Sequence, residues 1–146
     1  MSLYDVFFAL TRVEIHLWDR VDEALRAEVD VPLGRFEALL VVRRLGPCRI
    51  LDISRELVVT VGGTSKLVDR LEETGLCVRA PNPNDRRSSL ITLSESAAAV
   101  LERGEAVIEA TLRSHLGAHL GGDELAALLG SLRVVRRGAE SPPTAQ

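Results

Sequence analysis

A mainly α-helical fold with one short β-hairpin is what this 146-residue sequence predicts, and three observations carry the prediction. Apolar residues recur at three- and four-residue steps along most of the chain, the spacing of one face of a helix. Aromatic residues make up 3% of the composition, so the core has to be built from Leu, Val and Ala, which suits helix packing. Two short β-prone runs, "LCVRA" and "SLITL", flank the loop "PNPNDRRS", whose prolines and asparagines mark a turn. The length implies one domain, and 46% hydrophobic with 27% charged residues is an ordinary globular balance.

The elements follow in order. Leu3, Val6, Leu10, Val13, Leu17, Val21, Ala24 and Leu25 place a long amphipathic helix over about 3–28. "VDVPLG" interrupts it, and Pro32 suits the first turn of a second helix that runs to about 45 and stops at Gly46-Pro47. A short helix is expected over 51–58. Thr60 is a good N-cap for a further helix over about 61–74, and Gly75 stands where a left-handed cap residue is wanted. After the hairpin, Ser94 can cap a long helix reaching about 120, with Val100, Leu101, Val107, Ile108, Leu112 and Leu116 as its buried stripe. Gly121-Gly122-Asp123 restarts the chain into a last helix carrying Leu125, Leu128, Leu129, Leu132 and Val135. The tail 139–146 is expected to be disordered. Residues 31–97 thus read as a winged helix-turn-helix. Residues 1–30 and 98–138 read as one helical region whose apolar stripes exceed what a small domain can cover, so it is expected to pair with a second copy as a dimerisation region.

Charge is distributed unevenly. The net charge is −3, yet between 43 and 87 nine Lys/Arg stand against six Asp/Glu, whereas the rest of the chain holds nine against fifteen. A basic middle with acidic ends points to one part facing a polyanion. Within that middle, "TVGGTSKLVDRLEETGL" combines a helix N-terminus, which favours phosphate, with Thr60, Thr64, Ser65, Lys66 and Arg70, groups able to reach phosphates and base edges in a major groove. Leu67, Leu71 and Gly63 are expected to face inward. The hairpin that follows holds Arg86 and Arg87 beside the same groove, where an arginine can enter the minor groove. Asp85 is expected to orient one of them through a charge-assisted hydrogen bond.

"TVGGTSKLVDRLEETGL" followed by "NPNDRRSSLITLSE" resembles the MarR family of bacterial transcriptional regulators. The "V-D-R-L-E-x-x-G-L" phrase and the wing motif "D-x-R", here Asp85 to Arg87, carry the resemblance. Leu93-Ser94 replaces the family's Leu-Thr, and Ala97 stands where glycine is common. The resemblance implies a cytoplasmic, dimeric repressor that binds a pseudo-palindromic duplex, places Arg87 in the minor groove, and releases DNA when a small aromatic or anionic effector binds between its two regions. Arg12, His16, Trp18, Arg35 and Phe36 are the candidates for lining that effector pocket.

Other chemistry is weaker. No Walker loop, dinucleotide fingerprint or "H-E-x-x-H" is present, so no enzyme and no cofactor is expected. His115 and His119, four apart on a helix, could share a metal, but partner ligands are lacking and they are at most weak metal candidates. Cys48 and Cys77 are too few for a disulfide scaffold and suit a reducing cytoplasm; a redox- or zinc-sensing regulator of the same fold is an alternative. A winged-helix interaction module that does not bind DNA is another. No signal peptide or membrane span is expected, since apolar runs such as 6–10 are short.

Overall fold

The computed structural model describes residues 1–140. Six α-helices and a two-stranded sheet succeed one another: α1 (Leu3–Val29), α2 (Leu33–Leu45), α3 (Ile50–Leu57), α4 (Val61–Glu73), β1 (Cys77–Pro81), β2 (Ser89–Leu93), α5 (Glu95–Leu112) and α6 (Gly122–Glu140), with a π-helical segment at Arg113–Gly117 between the last two helices. None of these helices is long and apolar enough to cross a membrane.

Local chemistry starts and stops the helices. Ser2 and Asp5 form a reciprocal cap on α1: the Ser2 hydroxyl accepts the Asp5 N–H at 3.1 Å and the Asp5 carboxylate accepts the Ser2 N–H at 2.8 Å. Asp30 ends α1 in the left-handed region at φ 56°. Pro32 lies one position outside α2, at its N-cap, rather than in its first turn. A proline side chain has no acceptor to offer, and the cap comes instead from α1, where the Asp22 carboxylate takes the Leu33 N–H at 2.7 Å. Gly75, at φ 74°, closes the end of α4 as expected.

The core lies where α2, α3, α4, β2 and α5 meet. Phe36, Leu39, Ile53, Val68, Leu71, Ile91 and Leu101 are all but fully buried there, with Leu25 of α1 joining them. Gly104 lets α5 close onto α2: a Cβ at that position would lie 2.1 Å from the Phe36 ring. The strands pair antiparallel, Cys77 opposite Leu93 and Pro81 opposite Ser89. Cys48 forms an isolated bridge to β2 by exchanging backbone hydrogen bonds with Ile91 at 2.7 and 3.2 Å, tying the α2–α3 connection to the hairpin.

Three expectations need correction. The helix after the hairpin stops at Leu112 instead of continuing to about 120. The Thr111 and Ser114 hydroxyls donate to the Val107 and Thr111 carbonyls, competing for acceptors, and the turn widens into the π-helical segment. Ser94 occupies the N-cap position of α5 without capping it. Its hydroxyl donates instead to the Gly75 carbonyl at 2.6 Å, Ser96 donates to the same carbonyl at 3.0 Å, and the Ser94 N–H bonds the Leu76 carbonyl at 3.0 Å. Finally, the first two residues of the expected tail, Ala139 and Glu140, belong to α6; 141–146 lie outside the described residues.

Candidate nucleic-acid interface

Helices α3 and α4 are joined by a three-residue turn. Val58 adopts φ 55°, and the turn is held by the Ser54 hydroxyl donating to the Val59 carbonyl at 2.5 Å and the Val59 N–H bonding the Ser54 carbonyl at 3.2 Å. Thr60 caps α4 through its hydroxyl, which accepts the Gly63 N–H at 3.1 Å. The paired glycines differ in purpose. A Cβ at Gly63 would come to 3.0 Å from the Val59 side chain and 3.1 Å from the Thr60 hydroxyl, whereas a Cβ at Gly62 would meet nothing. Glycine at 63 keeps the turn tight; glycine at 62 keeps the start of α4 bare.

Thr64 does not stand on the outer face of α4. It is fully buried, and its hydroxyl donates to the Thr60 carbonyl at 3.0 Å. The inward face is Thr64, Val68 and Leu71, spaced four and three apart, with Gly63 and Leu67 half-buried at its edges. A threonine with a satisfied hydroxyl packs like an aliphatic residue, which the alternation of polar and apolar letters could not reveal. Ser65 is half-buried, and Thr60, Lys66 and Arg70 are exposed. Arg70 pairs with Glu73 at 2.7 Å, so part of its charge is answered within α4.

The wing tip is a hydrogen-bonded loop. Asn82, buried, is its centre: its amide donates to the Ser88 hydroxyl at 2.9 Å and its side-chain oxygen accepts the Asn84 N–H at 3.0 Å. Backbone bonds from Asn82 to Ser88, Asp85 to Asn82 and Ser88 to Asp85 close the turn. Asp85 accepts the Arg87 backbone N–H at 2.9 Å, so it shapes the main chain of the tip and does not clamp a guanidinium, as had been expected of it. Its charge also acts on Arg49, at the start of α3. Arg86 and Arg87 are exposed, and among the described residues neither they nor Lys66 form an ion pair or a side-chain hydrogen bond.

Arg79 connects the two halves of this surface. From β1 it bonds Asp69 at 2.6 Å and Glu72 at 3.3 Å, both on α4. It fixes the hairpin against α4 and answers two carboxylates that would otherwise repel a polyanion. Arg79 and Asn82 were not singled out from sequence. Strand alternation does place Arg79 and Ile91 opposite each other, but only the register and the twist of the sheet bring that guanidinium back over α4.

Away from this face, a groove of about 840 Å³ opens between α1, α2, α5 and α6. Its walls are mostly aliphatic, with Phe7 and Trp18 from α1, and among the described residues its only ionisable lining groups are Glu14 and Glu37. Burial pushes the Glu37 carboxyl above its ordinary value. Of the five residues expected to line an effector pocket, Trp18 does. Phe36 is in the core against Gly104. Arg12 lies over the Phe8 ring, 5.5 Å from its centroid, and His16 meets the His115 ring edge-on at 5.6 Å. Arg35 is half-buried and acts on Asp22. On a helix these side chains leave α1 and α2 on faces other than the one lining the groove. Among the described residues no group of three or more His, Cys, Asp or Glu could hold a metal; His115 and His119 are both exposed. Cys48 and Cys77 are free and buried, and burial pushes both thiols up to about 11.

A model of the MarR family matches residues 31–89. The multiple antibiotic resistance protein MarR of Escherichia coli (strain K12) is 29% identical over 110 residues, covering 75% of this chain and 76% of the relative. Its counterpart of the same name in Salmonella typhimurium is 30% identical over 110 residues with the same coverage. Among solved structures, a mutant MarR from E. coli complexed with operator DNA superimposes with a TM-score of 0.75 at 27% identity, covering 92% of this chain and 99% of that one.

Proposed function

This chain belongs to the MarR family, a DNA-binding transcriptional regulator, and we propose that it grips duplex DNA through α4 and the wing as a homodimer on a pseudo-palindromic site. In this reading the N-terminus of α4 enters the major groove, Thr60, Ser65 and Lys66 meet phosphates and base edges, and Arg87 reaches the adjacent minor groove while Arg86 meets phosphate. Thr64 contributes from inside by holding the first turn of α4. Arg70 contacts the duplex at the edge of the footprint, shared with Glu73. The protein acts as a repressor, and a small effector held in the groove between α1, α2 and α5 loosens its grip.

The observation that carries the reading is the set of three exposed cations left without partners, Lys66, Arg86 and Arg87, on two elements that Arg79 ties together. Among the other cations of this part of the chain, Arg43 is answered by Glu105, Arg44 by Glu56 and Arg49 by Asp52, while Arg55, exposed on α3, forms no ion pair among the described residues. The second copy is supported by the apolar face of α1 and α6, where Tyr4 is 68% and Val135 69% exposed.

Fluorescence anisotropy on a duplex taken from the promoter region beside the gene tests the assignment. Arg87→Ala is expected to weaken binding at least tenfold, about 1.4 kcal/mol, while its melting curve stays within about 0.5 kcal/mol of the parent. Lys66→Ala is expected to weaken all duplexes alike and to reduce the salt slope by about one. Parent-like binding by Arg87→Ala at physiological salt reduces the wing to a solvated turn.

A further inference from the structure

The groove between α1, α2, α5 and α6 has a charge character that the functional reading leaves open. Its aliphatic wall comes from all four helices, Leu17, Leu40, Leu112 and Leu132 among them. Into this wall project two carboxylates, Glu14 from α1 and Glu37 from α2, and no Lys, Arg or His lines it. Neither carboxylate has a cationic partner or a hydrogen bond among the described residues. Every other acidic residue of α2–α4 except Glu37 is paired: Asp52 and Glu56 with arginines of the α2–α3 region, Asp69 and Glu72 with Arg79, Glu73 with Arg70.

Resting on the reading of this groove as the effector site, we propose that its ligand is a lipophilic cation, an apolar body carrying a permanent or protonated positive centre that sits between Glu14 and Glu37. The chemistry is complementary on three counts. A carboxylate drawn partly out of water, with its affinity for the proton raised by that burial, regains by pairing with a cation what it lost in hydration. The Trp18 indole and the Phe7 ring offer negative faces to a desolvated cation. The aliphatic wall takes the apolar body, whose transfer from water supplies affinity without regard to charge. An anionic aromatic ligand would meet two like charges and no cation. Arg12 of α1 does not line the groove and lies over the Phe8 ring.

The chain contains a single tryptophan, and it lines the groove, so emission from Trp18 reports occupancy directly. The test titrates the full chain with tetraphenylphosphonium and with tetraphenylborate, which share shape and apolar surface and differ in charge. The phosphonium is expected to perturb Trp18 emission with an affinity at least about tenfold above that of the borate. Glu37→Gln, and independently Glu14→Gln, are each expected to remove most of that preference, weakening the phosphonium and strengthening the borate; two variants are used so that a folding failure in one leaves the other decisive. If the borate binds as tightly as the phosphonium, or if both glutamine variants keep the preference, the charge assignment is overturned while the groove survives as a ligand site. If neither ion perturbs Trp18, the groove is not a small-molecule site, and the charge inference falls with the effector reading; Trp18 emission that then changes on dilution through dimer dissociation identifies a second copy as the occupant.

Discussion

Residues 31–97 and the helices that flank them are written in the same aliphatic alphabet, yet they end in opposite states. In the winged-helix region the apolar stripes meet one another: Leu39, Ile53, Val68, Leu71 and Ile91 are sealed in a common core. In the flanking helices Leu25 and Leu101 join that core, but the outer stretches do not. The apolar residues of α1 from Leu3 to Ile15 are exposed, and every residue of α6 from 129 to 139 is exposed. The difference teaches that a helical repeat of leucines reports which face is apolar but not what covers it. The same pattern marks a finished interior in one place and an unfinished surface in the other.

Three experiments sharpen or break that contrast. The largest effect belongs to the finished side. Phe36→Ala removes a ring that fills the space Gly104 leaves open, and it is expected to destabilise the fold by about 3–5 kcal/mol in urea unfolding. A loss under about 1 kcal/mol would mean that α2 and α5 are not locked together at this point. On the unfinished side, Val135→Glu places a charge on the face assigned to the second copy. It is expected to weaken dimerisation by about 2 kcal/mol or more in sedimentation equilibrium, with the far-ultraviolet spectrum unchanged. A parent protein that is already monomeric at micromolar concentration would erase the contrast, since the apolar face would then stand open by itself. The smallest effect lies on the finished side again, at the start of α3. The Arg49 side chain, and then its backbone N–H, hold the Asp52 carboxyl down at about 2 from an ordinary 3.8. A group lowered in the folded state contributes stability that is present above its unfolded value and lost as pH falls through its folded one. Stability is therefore expected to decline between about pH 4 and pH 2, and the decline is expected to be shallower in Asp52→Asn. Equal slopes in the two proteins would mean that the cap does not contribute.

What was legible in the sequence follows from how local its cause is. Thr60 before a glycine pair and Gly75 after a leucine-rich run each act within a turn of chain, and α4 appears within a residue of where they place it. The hairpin was equally readable, because the prolines and asparagines of "PNPND" favour a turn and the runs on either side are β-prone. The inward position of Thr64 was not, because it depends on a hydroxyl finding the Thr60 carbonyl. Nor was the commitment of Phe36 to the core, which depends on a glycine 68 residues later. Of the interface, the exposed Arg86 and Arg87 were visible as cations without a purpose in any core. The parts that aim them, Asn82 and Arg79, are intelligible only once the loop is closed and the hairpin is laid against α4.

The bonds from Ser94 and Ser96 to the Gly75 carbonyl, and from the Ser94 N–H to Leu76, fasten the beginning of α5 to the end of α4. At about 1.5 Å per residue the 18 residues of α5 make a rod of about 27 Å, with Ile108 and Leu112 in the groove wall near one end and the recognition surface hinged at the other. Mechanically this is a crank. A tilt of about 5° at the groove end sweeps the other end through roughly 2 Å over that length, a sizeable part of the 3.4 Å that separates successive base pairs. In the reading proposed above, a ligand wedged against Ile108 would not have to unfold or displace anything to spoil the fit on DNA. It would have only to turn a stiff shaft by an angle too small to disturb the packing around it.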